Sequence, residues 1–291
     1  MKCALEKLQS LNLFNSSPEE VRILLKNLDI PIIKFKIREG IYILRARKGG
    51  YFTKKSEMTY CPKEKCLNFQ RASLPGQPMF YGVISENQSE QEKARLIATS
   101  ECSVLYHQGK NSIGKEIFTI SHWEVIKPLR LISFITSTTF RNVTKNSLLN
   151  QLRELHQKYR NEFQSNQVDI ADFISDEFSK RVAHNEPHQY IISATISSDI
   201  IRDNDIDGII YPSVQMQGQC GVNVALLPKA VDEKLEFKRT MLQTLYKNGE
   251  KSVIRLEHCT ENNILTDISQ YSDNDIAIQI GVNNLNELPL K

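Results

Sequence analysis

Glu101 is the residue whose type and position first suggest chemistry. In residues 91–107, Ala94, Ile97, Ala98, Val104 and Leu105 recur at helical spacing and form one apolar stripe. Glu101 falls inside that stripe, seven residues after Ala94 and four before Leu105. The spacing predicts a helix that points this carboxylate at the core or into a cleft. A carboxylate in such a place is paired or has its pKa raised, and groups of that kind cluster at functional sites. The plainer alternatives are a partly exposed helix edge or a structural ion pair with a core arginine.

Two arginines raise a second possibility. Ile41, Ile43, Arg45 and Arg47 alternate along an extended run and share one face. Either the arginines lie past the strand end in water, or at least one lines an anion pocket, since a guanidinium fork suits phosphate. Cys61 and Cys66 are separated by four residues, at the loose end of zinc-ligand spacing. No second Cys or His pair follows at a useful distance, so no metal is expected. Cys102 with a histidine such as His107, His122 or His184 would be a nucleophilic pair, but Cys102 follows Glu101 directly and points about 100° away on a helix.

These residues need a scaffold. The 291 residues suffice for one large domain with extensions. With 40% hydrophobic and 24% charged residues, the composition is that of an ordinary globular protein. A net charge of +3 is too mild for direct nucleic-acid binding. No apolar run approaches the ~18 residues of a membrane span, and residues 1–8 lack the apolar core of a secretion signal. The six cysteines are scattered, so reduced thiols in a cytoplasmic protein are expected.

Along the chain, residues 1–30 read as two helices, the second capped at Ser16-Ser17-Pro18. Residues 32–47 read as extended, and 49–76 as irregular. Residues 79–84 form a short strand before the Glu101 helix. Two strands are expected at 117–120 and 123–134, and two amphipathic helices at 147–163 and 168–182. Residues 190–196 read as a strand, or a strand running into a helix. Short buried strands follow at 205–213 and 223–227. Asn248-Gly249 between two long alternating runs predicts a hairpin. The last ~30 residues are polar and weakly patterned.

Three segments in this order carry a family resemblance. They are the loop from Gln70-Arg71-Ala-Ser to Tyr81, Ala98-Thr-Ser-Glu101, and Asp207-Gly-Ile-Ile-Tyr-Pro-Ser213 followed by Gly221-Val-Asn223-Val-Ala-Leu. Together they resemble the RES-domain family, named for an Arg, a Glu and a Ser, over roughly residues 40–230. The family is similar in fold to ADP-ribosyltransferases. Its better-known members are NAD-consuming toxins paired with Xre-type antitoxins. The resemblance implies an α+β fold, an ADP-ribosyltransferase-like mixed sheet flanked by helices. It is expected over residues 39–232, with an N-terminal helical extension (1–38) and a C-terminal hairpin and appendage (233–291). The arginine loop departs from the family's usual Gly-Arg-Phe-Asn or Gly-Arg-Ala-Asn. The stretch between Tyr81 and Glu101 is also longer than in the compact toxins.

By that resemblance the catalytic residues would be Glu101, Arg71 and Ser213. Arg45, Arg47, Tyr81 and Asn223 would bind NAD, the substrate, and no metal would be needed. Cleavage of the nicotinamide–ribose bond passes through an oxocarbenium-like state. It calls for a phosphate clamp, for which Arg71 and Arg45 are suited, and an aromatic wall, for which Tyr81 is suited. It also calls for a carboxylate that stabilises developing positive charge, the role open to Glu101. Ser213 would position ribose or the carboxamide, with Asn223 behind it. The bland roles stay open: Arg71 as anchor of its own loop, Tyr81 as a core tyrosine, Ser213 as a turn residue. Expected partners are NAD and an Xre-type antitoxin protein, with self-association compatible with the sequence. A binding module that keeps the fold and has lost catalysis is the alternative function.

Overall fold

The computed structural model describes residues 2–135, 147–183, 185–203, 205–213, 221–262, 264–269 and 271–291. Its elements begin with α1 (Lys2–Gln9), α2 (Pro18–Leu25), β1 (Ile33–Ile37), β2 (Tyr42–Lys48) and α3 (Lys55–Met58). Next come β3 (Phe80–Ser85), α4 (Gln91–Cys102), α5 (Val104–His107), β4 (Ile113–Val125) and β5 (Leu129–Ser133). The middle holds α6 (Ser147–Arg160), α7 (Ser165–Ser179), α8 (Ile191–Asp203), β6 (Gly208–Pro212) and β7 (Val222–Leu226). The chain closes with α9 (Pro228–Lys234), β8 (Leu235–Asn248), β9 (Lys251–Glu261), β10 (Ile264–Asp267) and α10 (Asp273–Ile280). Among the described residues no helix is long and apolar enough to cross a membrane.

Two compact units divide the chain. The first comprises residues 1–39, 60–81 and 126–235; the second comprises 40–59, 82–125 and 236–291. The first is a mixed sheet flanked by helices. Its strands run β1-β5-β6-β7, with β5 and β6 parallel and the two outer pairings antiparallel. The parallel pair needs a long crossover, and α6, α7 and α8 lie in that stretch. Every residue of β6 and β7 is buried, which accounts for their unbroken apolar runs. Gly208 is obligatory in β6, because a Cβ there would come within 2.1 Å of the Ala225 carbonyl oxygen.

The helices of this unit form as their side chains dictate. Ser17 caps α2 in a capping box: its hydroxyl accepts the Glu20 N–H, and the Glu20 carboxylate accepts the Ser17 N–H at 2.7 Å. Val21 and Leu25 face the core beside Leu8 of α1. Replacing Ser17 by alanine is expected to lower stability by about 1 kcal/mol, read as a shift of the urea midpoint at unchanged slope. Helix α8 corrects the reading of 190–196 as a strand, or as a strand running into a helix. It is buried on nearly all sides, and Thr195 and Ser197 return their hydroxyls to the Ile191 and Ser193 carbonyls at 2.6 and 2.9 Å. An apolar run with no polar face has no period to read, so β-branched content misled.

In the second unit the strands run β3-β2-β4-β8-β9-β10. Asn248 pairs with Lys251 across the β8–β9 turn, where Gly249 takes φ +63°. Two boundaries differ from expectation. Strand β4 runs on to Val125 and the break falls before Pro128, which has no N–H to give a ladder. The helix expected through His107 stops at Cys102 and restarts at Val104. The cause is Glu116 on β4, whose buried carboxylate accepts the Ser103 hydroxyl and the N–H groups of Val104 (3.0 Å) and Leu105 (3.3 Å), and pairs with Lys48 at 2.9 Å. A carboxylate at the start of a helix satisfies the orphan amides there.

Candidate functional site

Within the first unit, one sheet face collects an arginine and several aromatic rings. The loop after residue 66 turns back on itself, with Gln70 and Ser73 exchanging backbone hydrogen bonds, and delivers Arg71 inward. Arg71 is 8% exposed. Its Nη1 donates to the carbonyl oxygens of Phe178 (2.8 Å) and Lys180 (3.1 Å) at the C-terminal end of α7. Its Nη2 donates to the Tyr190 hydroxyl at 3.3 Å. The guanidinium lies 4.9 Å from the Tyr190 ring centroid and 5.7 Å from that of Tyr211, within cation–π range. The C-terminal end of a helix attracts cations, so the position of Arg71 has a structural as well as a chemical rationale.

Tyr81 supports the same loop. Its hydroxyl accepts the Ala72 N–H at 3.3 Å and shares a 2.9 Å hydrogen bond with Ser73. Burial pushes the phenol above its ordinary range, against the pull of these bonds and of the Arg71 charge. The phenol therefore stays neutral and holds the backbone that carries Arg71. Tyr81→Phe is expected to cost 1–2 kcal/mol, roughly the value of a buried hydrogen bond with its partner left behind, measurable by chemical denaturation.

Strands β6 and β7 supply the floor. Tyr211 pairs with Asn223 in the ladder, so the two side chains share a face. Ser213, two residues after Tyr211, continues that face; it is fully buried and its N–H donates to the Gly221 carbonyl at 3.0 Å. Glu177 of α7 adds a carboxyl raised above its usual range by burial, with the Lys180 ammonium at 2.6 Å and the Arg71 charge acting against the rise.

The second unit holds the remaining candidates. Glu101 lies near the C-terminal end of α4 and is half-buried, while Ala94, Ile97 and Ala98 of the same helix are buried as expected. The inward side of α4 is more polar than the stripe suggested: Arg95, Thr99 and Ser100 are buried too. Alternation places Arg45 and Arg47 on the β2 face that carries Ile43, opposite Leu44 and Ala46. Arg47 is anchored by the Glu57 carbonyl and by the Phe52 ring, 4.3 Å away. Arg45 is half-buried, and its charge reaches the Cys102 thiol. That thiol donates to the Ala46 carbonyl at 3.6 Å, and burial pushes it up to about 11. Burial thus favours the thiol form of Cys102, which argues against a nucleophilic cysteine. His184 lies outside the described residues.

Of the expected site residues, Arg71, Tyr81, Ser213 and Asn223 lie in the first unit, and Glu101, Arg45 and Arg47 in the second. Tyr190, Tyr211, Glu177 and Lys180, which neighbour Arg71, were not singled out from the sequence. Tyr211 was legible, since it stands two residues before Ser213 in the quoted motif and must share its face. Tyr190 was hidden by the mistaken strand. Among the described residues no group of three or more His, Cys, Asp or Glu side chains could hold a metal ion.

No curated protein matches the chain in sequence. Among solved structures, the chain is similar to one described as the crystal structure of the M. tuberculosis MbcT–MbcA toxin–antitoxin complex. The TM-score is 0.29 at 9% identity, covering 72% of this chain and 85% of the other, a remote likeness. Of the expected site residues, Ser213 and Asn223 lie inside the stretch matched by a family model, as do Tyr190 and Tyr211. That stretch is residues 137–244, and the model it matches is that of the RES domain, the family that the sequence motifs resemble.

Proposed function

We propose that this protein consumes NAD by breaking the bond between nicotinamide and ribose. The observation that carries the reading is Arg71 beside the rings of Tyr190 and Tyr211, the latter on the strand face of Ser213. A guanidinium suits pyrophosphate, flat rings suit nicotinamide or adenine, and Tyr190, Tyr211 and Ser213 all fall in the RES-matching stretch. In this reading the C1′–N1 bond breaks and nicotinamide leaves neutral with the bonding pair. The acceptor's oxygen then bonds to C1′ and its proton is released. Water, phosphate or a protein side chain can be that acceptor. Glu101 is the proposed carboxylate for the developing charge, an assignment that rests on the resemblance. The same resemblance supports a toxin held in check by an antitoxin protein.

The test is free nicotinamide released from NAD by the purified protein, with Glu101→Gln beside it. Release that falls by ~10²-fold or more in the variant, at unchanged stability, is the expected result. Equal rates in both would remove Glu101 from the chemistry; no release with any acceptor would remove the reaction.

One observation favours a second reading. Arg71 already serves two backbone carbonyls of α7, as a residue kept for architecture would. In that case the protein is a binding module on the same fold, and NAD, if bound, is not turned over.

A further inference from the structure

The loop that carries Arg71 begins at a pair of cysteines that the proposed reaction does not use. Cys61 and Cys66 flank a single 3-10 turn, Lys63–Lys65. That turn folds the chain so that the Cys66 sulfur lies 3.6 Å from the Cys61 carbonyl oxygen and 3.4 Å from that of Pro62. The Cys61 thiol is near enough to raise that of Cys66, and both are free. Cys66 is 8% exposed, whereas Cys61 is half-exposed. The Cys66 carbonyl accepts the Gly76 N–H at 2.6 Å. That bond closes residues 66–76 into the loop from which Arg71 projects.

We propose that Cys61 and Cys66 form a redox-responsive dithiol, which closes to a disulfide by exchange with a small-molecule disulfide and thereby loosens the base of the Arg71 loop. Cys61 enters first because it is the accessible sulfur. Burial raises the Cys66 thiol to about 11, so Cys66 stays protonated and leaves the first attack to its neighbour. The Cys61 thiolate attacks one sulfur of the oxidant, forms a mixed disulfide and expels one small thiolate. Cys66 then loses its proton and attacks the Cys61 sulfur, forming the protein disulfide and expelling the second small thiolate. Two protein thiols are oxidised and one small disulfide is reduced to two thiols. Each disulfide has a narrow range of accepted geometry. In the proposal, drawing the Cys66 sulfur from its carbonyl contacts to the Cys61 sulfur shifts the Cys66 backbone, whose carbonyl holds the Gly76 N–H.

The proposal is tested on the full chain equilibrated in glutathione buffers of increasing oxidised fraction, then alkylated and digested with trypsin. Lys63 and Lys65 lie between the two cysteines, so cleavage separates them unless a disulfide joins the peptides. The expected result is a Cys61–Cys66 cross-link that appears while Cys102 and Cys259 remain reduced. Hydrogen exchange at the Gly76 amide should rise at least several-fold in the oxidised protein, and Cys66→Ser should accumulate glutathione on Cys61 instead. The proposal is overturned if Cys61 and Cys66 carry separate glutathione adducts in the wild-type chain. It is equally overturned if they oxidise no earlier than Cys102 and Cys259, or if the cross-link forms without change at Gly76.

Discussion

From above pH 7 down to pH 5 the protein is expected to lose about 4 kcal/mol of stability, from two histidines buried as neutral rings. His122 on β4 is 2% exposed, and neither ring nitrogen has a hydrogen-bond partner among the described residues. Burial lowers it to about 3, and the charges of Arg239 and Arg95 push the same way. His156 on α6 is 4% exposed, with Nε2 at 2.9 Å from the Ser133 hydroxyl, and burial lowers it to about 4. In the unfolded chain both rings titrate near 6.5. Well above that pH neither state takes up a proton at these sites and the contribution is whole. As pH falls, the unfolded chain binds protons that the folded chain refuses, until the folded pKa values are reached. At pH 5 each ring accounts for about 2 kcal/mol, at 1.36 kcal/mol per unit. Urea denaturation at half-unit pH steps would show a slope near 2.7 kcal/mol per unit, and His122→Gln would halve it. A flat profile in this window, which lies above the range of ordinary carboxylates, would mean that these rings are solvated.

Arg71→Ala is expected to cost about 3 kcal/mol of stability, because two bonds to a charged donor vanish and two carbonyls at the end of α7 lose their partner. The Tyr190 hydroxyl loses its donor as well, and the Tyr190 and Tyr211 rings lose the cation beside them. Arg71→Lys retains the charge but not the planar fork that spans both carbonyls and the hydroxyl, so it should recover only part of that loss. An Arg71→Ala protein as stable as wild type would show that the contacts of this side chain contribute nothing net to the fold.

Much of the local structure was legible because it is set by near neighbours. Ser17 three residues before Glu20 announces α2, and Asn248-Gly249 announces the β8–β9 turn. The strand Gly208–Pro212 could be read from its apolar run and its flanking break. What stayed hidden depends on distant residues. Helix α4 ends at Cys102 because of a carboxylate thirteen residues after Ser103, on another strand. Arg71 is fixed by carbonyls 107 and 109 residues away, and no spacing rule reports such a contact. The helix α8 was misread because its hydroxyls are satisfied by its own carbonyls, so polar residues could be buried without marking a face. At Glu101 the stripe was read correctly for Ala94, Ile97 and Ala98 and was too apolar elsewhere, since Arg95 and Thr99 are buried through Gln243 of β8.

The proposed binding of NAD at the Arg71 face of the first unit is tested most directly by equilibrium titration of NAD by calorimetry into the wild-type protein and into Arg71→Lys, at a temperature where both are shown to be folded. Saturable binding to wild type and at least ~10-fold weaker binding to Arg71→Lys, the loss of roughly one bidentate contact, are the expected results. Equal binding to both proteins, or none to the wild type, would contradict the proposal.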